Sequence, residues 1–332
     1  MGITLQKSER WGSARLGQAV ALLRNNPSIV LIYGIIIVIC VVAAIFNEDF
    51  RTASNVANIL RQSIVIGLIA IGQSMVVLTG GADMSVAMVA RTVGLVVATI
   101  FLAANSSNGL IVPLVILGAG IGIVLGCFNG LLVTQTHANP FIITFGVANI
   151  LRGVNLAISS TPIRGVPDAY LSIYDAKIGL VPVNVIVMAL VWLGAWIFTT
   201  RVLAGRALFA VGGSERVARL TALRVNWTLL SAFVISATFA ALAGLFLLSR
   251  TGVGDPNAAD GMDFQSIVAV ALGGISLYGG KGSLLGTLGG VLLLVILSNV
   301  FNALQVDIYY QQLLLGLVVL IAVAAYKSPR TA

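Results

Sequence analysis

The sequence predicts an all-α polytopic membrane protein with about ten transmembrane helices, and three observations support this fold class. Only 9% of the 332 residues are charged and 58% are hydrophobic, which leaves too little polar surface for a water-soluble globule. Apolar windows of the roughly 20 residues that cross a bilayer core recur from residue 29 to residue 326. Thirty-six glycines suit helices that pack closely or break within the membrane.

We expect ten spans, with boundaries that can shift by a few residues. They cover residues 29–46, 60–79, 84–104, 109–133, 140–159, 183–200, 227–249, 265–280, 283–303 and 308–326. Glycine pairs make broken or re-entrant helices an alternative for the second, third, eighth and ninth spans. The chain then divides into an N-terminal segment (1–28), a transmembrane domain (29–326) with an internal loop (201–226), and a C-terminal tail (327–332).

The distribution of basic residues predicts that both termini, and the 201–226 loop, lie in the cytoplasm. In this orientation twelve of the nineteen Lys and Arg residues are cytoplasmic, five are external, and Arg91 and Arg152 fall within spans. Cytoplasmic segments of membrane proteins carry such an excess. The net charge of +8 therefore reflects membrane orientation and does not indicate nucleic-acid binding, which needs a basic face on a soluble domain.

The sequence carries no recognisable catalytic constellation. His137, the single histidine, stands in a short turn without a carboxylate or thiol nearby, which favours a turn residue over a proton relay or ligand. Cys40 and Cys127 lie in apolar windows, which disfavours a thiolate metal site. A GxxxxGK[ST] phosphate loop is missing, so we do not expect this chain to hydrolyse ATP. We predict no catalytic residue, metal or cofactor in this chain.

Residues 201–226 form the long internal segment that is not apolar, with five arginines against one acid, Glu215. Gly212-Gly213 can end the incoming helix, and Ser214 is a suitable N-cap for a short helix that begins near Glu215. Arg219, four residues later, can pair with Glu215. We interpret this helix as a surface on which a soluble partner can act. The alternative is a solvated basic loop that only follows the charge rule.

Asp83 is the one acid within the apolar body, and it follows Gly80-Gly81. One interpretation is a polar contact near a transport pathway; the other is a helix cap at a wet turn. Arg91 lies two turns further on and can pair with Asp83 only if the helix breaks or a neighbour intervenes. For Arg152, snorkelling to the external interface is favoured over a substrate contact.

Four motifs resemble the membrane permeases of bacterial ABC sugar importers of the ribose, xylose, arabinose and galactoside type. They are LTGGADMSVAMV (78–89), NPFIITFGVANILRG (139–153), GRALFAVGGSERVARL (205–220) and GMDFQSIVAVALGGISLYGGKGSLLGTLGG (261–290). Four motifs in this order are more specific than any single glycine pair. The chain departs from the family pattern at Ala82, Met84, Ala87, Ser214, Val217 and Thr221-Ala222, differences that concern the sugar and the partner ATPase rather than the fold.

The resemblance implies a permease subunit of the bacterial inner membrane that imports a monosaccharide of the pentose or hexose class. It implies a second permease subunit, a cytoplasmic ATPase that binds the ATP, a periplasmic sugar-binding protein, and contact with membrane lipid. With the reasoning above, it assigns these residues to an ATPase-coupling loop: Gly212, Gly213, Ser214, Glu215, Arg216, Ala218, Arg219 and Leu220. The candidate translocation-path or gating residues are Gly80, Gly81, Asp83, Asn139, Pro140, Phe141, Gly273 and Gly274.

Other functions are weighed against this one. An ion-coupled secondary transporter of a small polar solute would need several buried carboxylates or a proton relay, and the spans offer only Asp83. An intramembrane enzyme would need paired catalytic groups. A permease of the same family for a non-sugar solute stays open. The sequence does not decide which sugar is carried, or whether the pore is a homodimer or a heterodimer.

Overall fold

The computed structural model describes residues 27–136, 138–179, 181–307, 309–314 and 316–317. Within these ranges eight helices are long and apolar enough to cross a membrane. The protein is a polytopic all-α membrane protein, as the sequence predicts. His137, the C-terminal tail and nearly all of the N-terminal segment lie outside the described residues.

The helices are numbered here in chain order. They are α1 (Pro27–Phe46), α2 (Ala53–Leu78), α3 (Val86–Ala103), α4 (Ile111–Thr136), α5 (Pro140–Ile158), α6 (Asp168–Asp175), α7 (Val183–Arg201), α8 (Leu203–Gly213), α9 (Glu215–Leu220), α10 (Val225–Thr251), α11 (Met262–Leu272) and α12 (Leu284–Ala303). Two 3-10 turns cover Asp49–Arg51 and Asn108–Leu110. Four two-residue strands are β1 (Ile163–Arg164), β2 (Lys177–Ile178), β3 (Val181–Pro182) and β4 (Val253–Gly254), and they form the antiparallel pairs β1–β4 and β2–β3.

Eight of the ten predicted spans are helices close to the predicted positions: α1 to α5, α7, α10 and α12. The largest boundary difference is at α2, which begins seven residues earlier than predicted. The Thr52 side chain caps it by accepting a hydrogen bond from the Asn55 amide at 3.2 Å. A hydropathy window misses this first part because it carries polar residues such as Asn55 and Asn58.

The eighth predicted span, 265–280, is wrong as a continuous helix. Helix α11 ends at Leu272 after 11 residues, about 16 Å, which is half of a bilayer core. The chain then turns at Gly274, where φ is +82°, and stays non-helical until Ser283 caps α12. Hydropathy does not register this break because the segment is apolar, whereas the left-handed glycine conformation ends the helix. This is the broken-helix alternative for that span.

The tenth predicted span, 308–326, is only partly described. Residues 309–314 and 316–317 are helical, and the remainder lies outside the described residues.

Helix α10 occupies the centre of the bundle and packs against α2, α3 and α4. The close packing depends on small residues. A Cβ at Gly126 would lie 2.6 Å from the Val234 Cα, and one at Gly72 would lie 2.8 Å from the Ser236 Cα. In a membrane the lipid is as apolar as the helix surfaces, so helices associate through close packing, which small residues allow.

The two ends of the bundle differ. One end carries α8 and α9 and is called here the loop end; the other carries β1 to β4 and α6 and is called the hairpin end. Tyr170 of α6 is buried and donates a hydrogen bond from its hydroxyl to the Leu245 carbonyl at 2.8 Å. This contact fixes the hairpin end onto α10, so α10 connects the two ends directly.

Candidate functional site

Helix α9 is the predicted short helix of the 201–226 loop. The Ser214 hydroxyl accepts a hydrogen bond from the Val217 amide at 3.3 Å, so Ser214 is the N-cap. The Arg219 guanidinium lies 2.6 Å from the Glu215 carboxylate and 3.1 Å from the Asn226 side-chain oxygen. These bonds tie α9 to the first turn of α10. The predicted helix, cap and ion pair are therefore present.

Helix α9 has one anchored face and one free face. Ala218 is 2% exposed and packs with Val211 and Val225. Val217 is 56% exposed and Leu220 is 81% exposed, and Arg216 beside them is also exposed. Large apolar side chains on a surface beyond the membrane spans indicate a contact surface for another protein. The assignment of α9 to ATPase coupling stays a prediction.

Four glycines bring three distant segments together at the loop end; we call Gly80, Gly212, Gly279 and Gly280 the glycine junction. The Gly280 amide donates to the Leu78 carbonyl at 2.9 Å. A Cβ at Gly279 would lie 2.6 Å from the Gly80 nitrogen, and one at Gly212 would lie 2.6 Å from the Gly280 nitrogen. The junction therefore joins the end of α8, immediately before α9, to the end of α2 and to the loop before α12.

Helix α8 ends at Gly213, and Ser214 caps the next helix, so the helix ends at the glycine pair as the sequence predicts. Gly212 has a second role that the sequence did not predict. A Cβ at Gly212 would overlap the Leu78 carbonyl, whereas a Cβ at Gly213 would meet nothing within 4 Å. Glycine is required at Gly212 because two backbones touch there.

Gly273 and Gly274 lie apart from the junction. A Cβ at Gly273 would overlap the Gly286 backbone, and one at Gly274 would lie 2.6 Å from the Ser28 Cβ. These two glycines hold the end of α11 against α12 and α1.

Asp83 is completely buried. Its carboxylate accepts hydrogen bonds from the Ser85 amide at 2.9 Å, the Ser85 hydroxyl at 2.6 Å and the Ser236 hydroxyl at 2.9 Å. Ser236 lies in α10, eleven residues from its start, which is about 16 Å along the helix axis. The wet-turn interpretation is therefore wrong, because Asp83 sits inside the bundle. A gating or pathway role stays a prediction.

Two further amides complete this buried network. The Asn129 side chain donates to the Ser85 hydroxyl at 2.8 Å. With its amide in the orientation that satisfies both groups, Gln73 bonds the backbone nitrogen and oxygen of Asp83 at 3.2 and 3.1 Å. Polar side chains from α2, α4 and α10 thus hold the segment between α2 and α3.

The Asn139-Pro140-Phe141 motif starts α5 and supports the same segment. The Asn139 side chain accepts from the Phe141 amide at 3.0 Å, with Pro140 in the first turn, a position where proline is well tolerated. One turn later Thr144 accepts from the Met84 amide at 3.0 Å. Phe141 is 42% exposed, so it faces away from the Asp83 network.

A polar cleft of about 630 Å³ separates α9 from the turn after α2. Its lining includes Gly80, Gly81, Thr134, Asn139, Glu215 and Arg219. Two predicted coupling residues, Glu215 and Arg219, and four predicted path residues therefore border one space.

The ion pairs of Arg91 and Arg152 lie toward the hairpin end. Arg91 is 4% exposed; it pairs with Asp260 and donates to the Ala258 carbonyl at 2.8 Å. The suggested Arg91–Asp83 pairing is therefore wrong, because Asp260 takes that place. The Arg152 side chain is 58% exposed and lies 3.9 Å from Asp260, as expected for a snorkelling side chain.

Sequence reasoning missed Gln73, Ser85, Asn129, Ser236 and Asp260 as partners. The signal available for the first four was a polar residue inside an otherwise apolar stretch, but spacing alone does not tell which helices face each other. Among the described residues no group of three His, Cys, Asp or Glu side chains could hold a metal ion. The prediction of no cofactor in this chain remains a prediction.

Comparison with known proteins places this geometry in a family. Residues 55–323 match the family model for the branched-chain amino acid transport system / permease component. The chain is 33% identical over 295 residues to the ribose import permease protein RbsC of Haemophilus influenzae, covering 87% of this chain and 90% of the relative. No solved structure matches the chain.

Two other relatives have similar coverage. The chain is 34% identical over 297 residues to the D-allose transport system permease protein AlsC of Escherichia coli, covering 88% of this chain and 90% of the relative. It is 31% identical over 313 residues to the fructose import permease protein FrcC of Rhizobium meliloti, covering 91% and 86%. With its apolar helices, this places the chain in the inner membrane as a multi-pass protein. The chain belongs to the branched-chain amino acid transport system / permease component family, and within it to the permeases of ABC sugar importers.

Proposed function

We propose that this chain is the permease subunit of an ATP-driven, binding-protein-dependent importer for a monosaccharide of the pentose or hexose class. The relatives with high coverage are import permeases for ribose, allose and fructose, which supports a sugar as solute. ATP is bound by a separate cytoplasmic ATPase, the sugar is delivered by a periplasmic binding protein, and a second permease subunit completes the pore.

The contact between α8 and the glycine junction supports this proposal most directly. Helix α9 presents exposed apolar residues to a partner, and Gly212 lies one turn before it against Leu78 and Gly280. Backbone contacts do not compress, because packed interiors transmit displacement instead of absorbing it. A push on α9 therefore reaches both the end of α2 and the loop that precedes α12.

The transport cycle follows from this connection. Closure of the ATPase would displace α9, and the junction would pass the displacement to the non-helical segments on either side of it. The two permease subunits would then switch between inward-open and outward-open states, each state stabilised by a different partner. The loop end is cytoplasmic in this scheme, in agreement with its five arginines.

The test is uptake into proteoliposomes that contain the permease, its ATPase and its binding protein. Uptake of at least one of D-ribose, D-allose and D-fructose should require ATP and should stop with a hydrolysis-deficient ATPase. A proton or sodium ionophore should leave uptake unchanged. Sugar uptake that continues without ATP and collapses with an ionophore would favour the secondary transporter and contradict the proposal.

The family description also names branched-chain amino acids, so L-leucine belongs in the same assay. If L-leucine is taken up in an ATP-dependent manner and none of the three sugars is, the ATP-driven mechanism is supported and the proposed sugar solute is wrong.

A further inference from the structure

A cavity of about 550 Å³ opens between α2, α11, α12 and residues 312 and 316. Its polar lining includes Gln62, Gln265, Ser298 and Gln312, with Phe264 and Asp260 beside them. The volume falls within the range of about 300–1,000 Å³ that small-molecule sites occupy. None of its polar residues belongs to α9, the glycine junction or the Asp83 network, so it is separate from the coupling surface.

The cavity reaches well into the spans. At the hairpin end the side chains of Asn55 and Asn299 are hydrogen-bonded at 3.1 Å. Gln62 lies seven residues further along α2, about 10 Å deeper. Helix α11 starts nearer the hairpin end than Gln62 does, because its Ala269, seven residues after Met262, packs against Gly290, which lies nine residues before Asn299 in α12. The residues before it, 255–261, are non-helical backbone at the hairpin end.

Gly261, Phe264 and Gln265 are exposed within the part of the chain that the structure describes. Carboxamides facing lipid would lose their hydrogen bonds at a cost of several kcal/mol for each unsatisfied group. The cavity is therefore a wet space that opens toward the hairpin end.

The lining suits a neutral, hydroxylated solute. A carboxamide both donates and accepts hydrogen bonds, as each sugar hydroxyl does. Phe264 is 58% exposed and offers an apolar surface to the C–H face of a sugar ring. The charge of Asp260 is already compensated by Arg91 and Arg152, so it does not call for a cationic ligand. Arg250 on the rim is exposed.

We propose that this cavity is the entry site of the pathway, in which the permease takes up one monosaccharide molecule from the hairpin end before it crosses. The inference rests on the proposed sugar-import function and adds a location and residues to it. Gln62 and Gln265 bind sugar hydroxyls from opposite walls, on α2 and α11. Ser298 of α12 supplies a further donor and acceptor. The carboxamide and hydroxyl contacts are uncharged, so the sugar is bound weakly enough to be released onward.

The direct test is protection of a cysteine. Gln265→Cys is made in a chain whose Cys40 and Cys127 are replaced by alanine, and a membrane-impermeant maleimide is added from the hairpin side of membrane vesicles. Saturating D-ribose, D-allose or D-fructose should slow the labelling several-fold for the sugar that is transported. Ser54→Cys, exposed at the hairpin end and outside the cavity, is the control and should react at one rate with and without sugar.

Uptake supplies a second readout. Gln265→Leu and Gln62→Leu should each raise KM for uptake by roughly 3- to 10-fold, the size expected for one lost uncharged hydrogen bond. Gln265→Asn, which keeps the carboxamide, should recover part of the loss.

The outcomes separate this inference from the proposed function. The entry site alone is overturned if sugar uptake depends on ATP but no sugar slows the labelling of Gln265→Cys and both leucine variants keep the parental KM. That result would indicate a lipid-filled cleft. Protection by L-leucine and by none of the sugars overturns the sugar class in both proposals.

Discussion

Replacing Gly212 by alanine should damage the glycine junction selectively. The new Cβ would overlap the Leu78 carbonyl and would lie 2.6 Å from the Gly280 nitrogen. These two atoms form the 2.9 Å hydrogen bond that closes the junction. Overpacking costs about 1–3 kcal/mol, and loss of one hydrogen bond adds about 0.5–1.5 kcal/mol. We therefore expect Gly212→Ala to destabilise this contact by about 2–4 kcal/mol.

Gly213→Ala is the matched control, since the neighbouring residue has open space around its Cβ position. Alanine there should be neutral, or stabilising by about 0.5–1 kcal/mol, because glycine is a poor helix former. Both variants are compared for membrane abundance, melting temperature in detergent and ATP-dependent uptake. Gly212→Ala should lose uptake and Gly213→Ala should not. Equal behaviour of the two would refute the reasoning.

Three further predictions concern other parts of the protein. Asp83→Leu leaves Ser85 and Ser236 without their hydrogen-bond acceptor, which costs about 1–3 kcal/mol, and it should lower uptake or membrane abundance. Asp83→Asn should keep most of the uptake and of the abundance. Equal, near-parental uptake in both variants would contradict a role for the network. Cysteines at Ser214 and Asp168 should react only from opposite membrane faces; labelling of both from one face would contradict the fold. Arg91→Met should expose residues 255–261 to protease and Arg152→Met should not, because only the Arg91 side chain is buried in its ion pair with Asp260. Equal cleavage of the two variants would contradict the role of Arg91 in anchoring this segment.

The features that sequence reasoning predicted correctly are local ones. A span shows itself as an apolar window, and the Ser214 cap and the Glu215–Arg219 pair depend only on residues within one or two turns. The beginning of α2 was missed because hydropathy detects only apolar segments. The helix begins at Ala53, where the Thr52 side chain caps it.

The features that sequence reasoning missed depend on contacts between distant segments. Asp83 bonds Ser236, 153 residues away, and no spacing rule connects them. Gly212 was interpreted only as part of the glycine pair that ends α8, which is where the helix ends, because a glycine near a helix end usually serves that purpose. Its actual requirement, the closeness of the Leu78 carbonyl, exists only once α2 and α8 have met. For the eighth span the glycine pairs did indicate a broken helix as an alternative, but the apolar composition did not tell where α11 ends.

The central claim is that α9 transmits force from the ATPase to the pathway, and the ratio of sugar transported to ATP hydrolysed tests it most directly. Ala218→Pro places proline inside this six-residue helix, at a cost of about 3 kcal/mol or more. Ala218→Ser is the control of similar size that keeps the helix. In proteoliposomes with matched permease levels, Ala218→Pro should hydrolyse ATP while uptake falls to background, and Ala218→Ser should retain the parental ratio. A parental ratio in the proline variant would contradict the account.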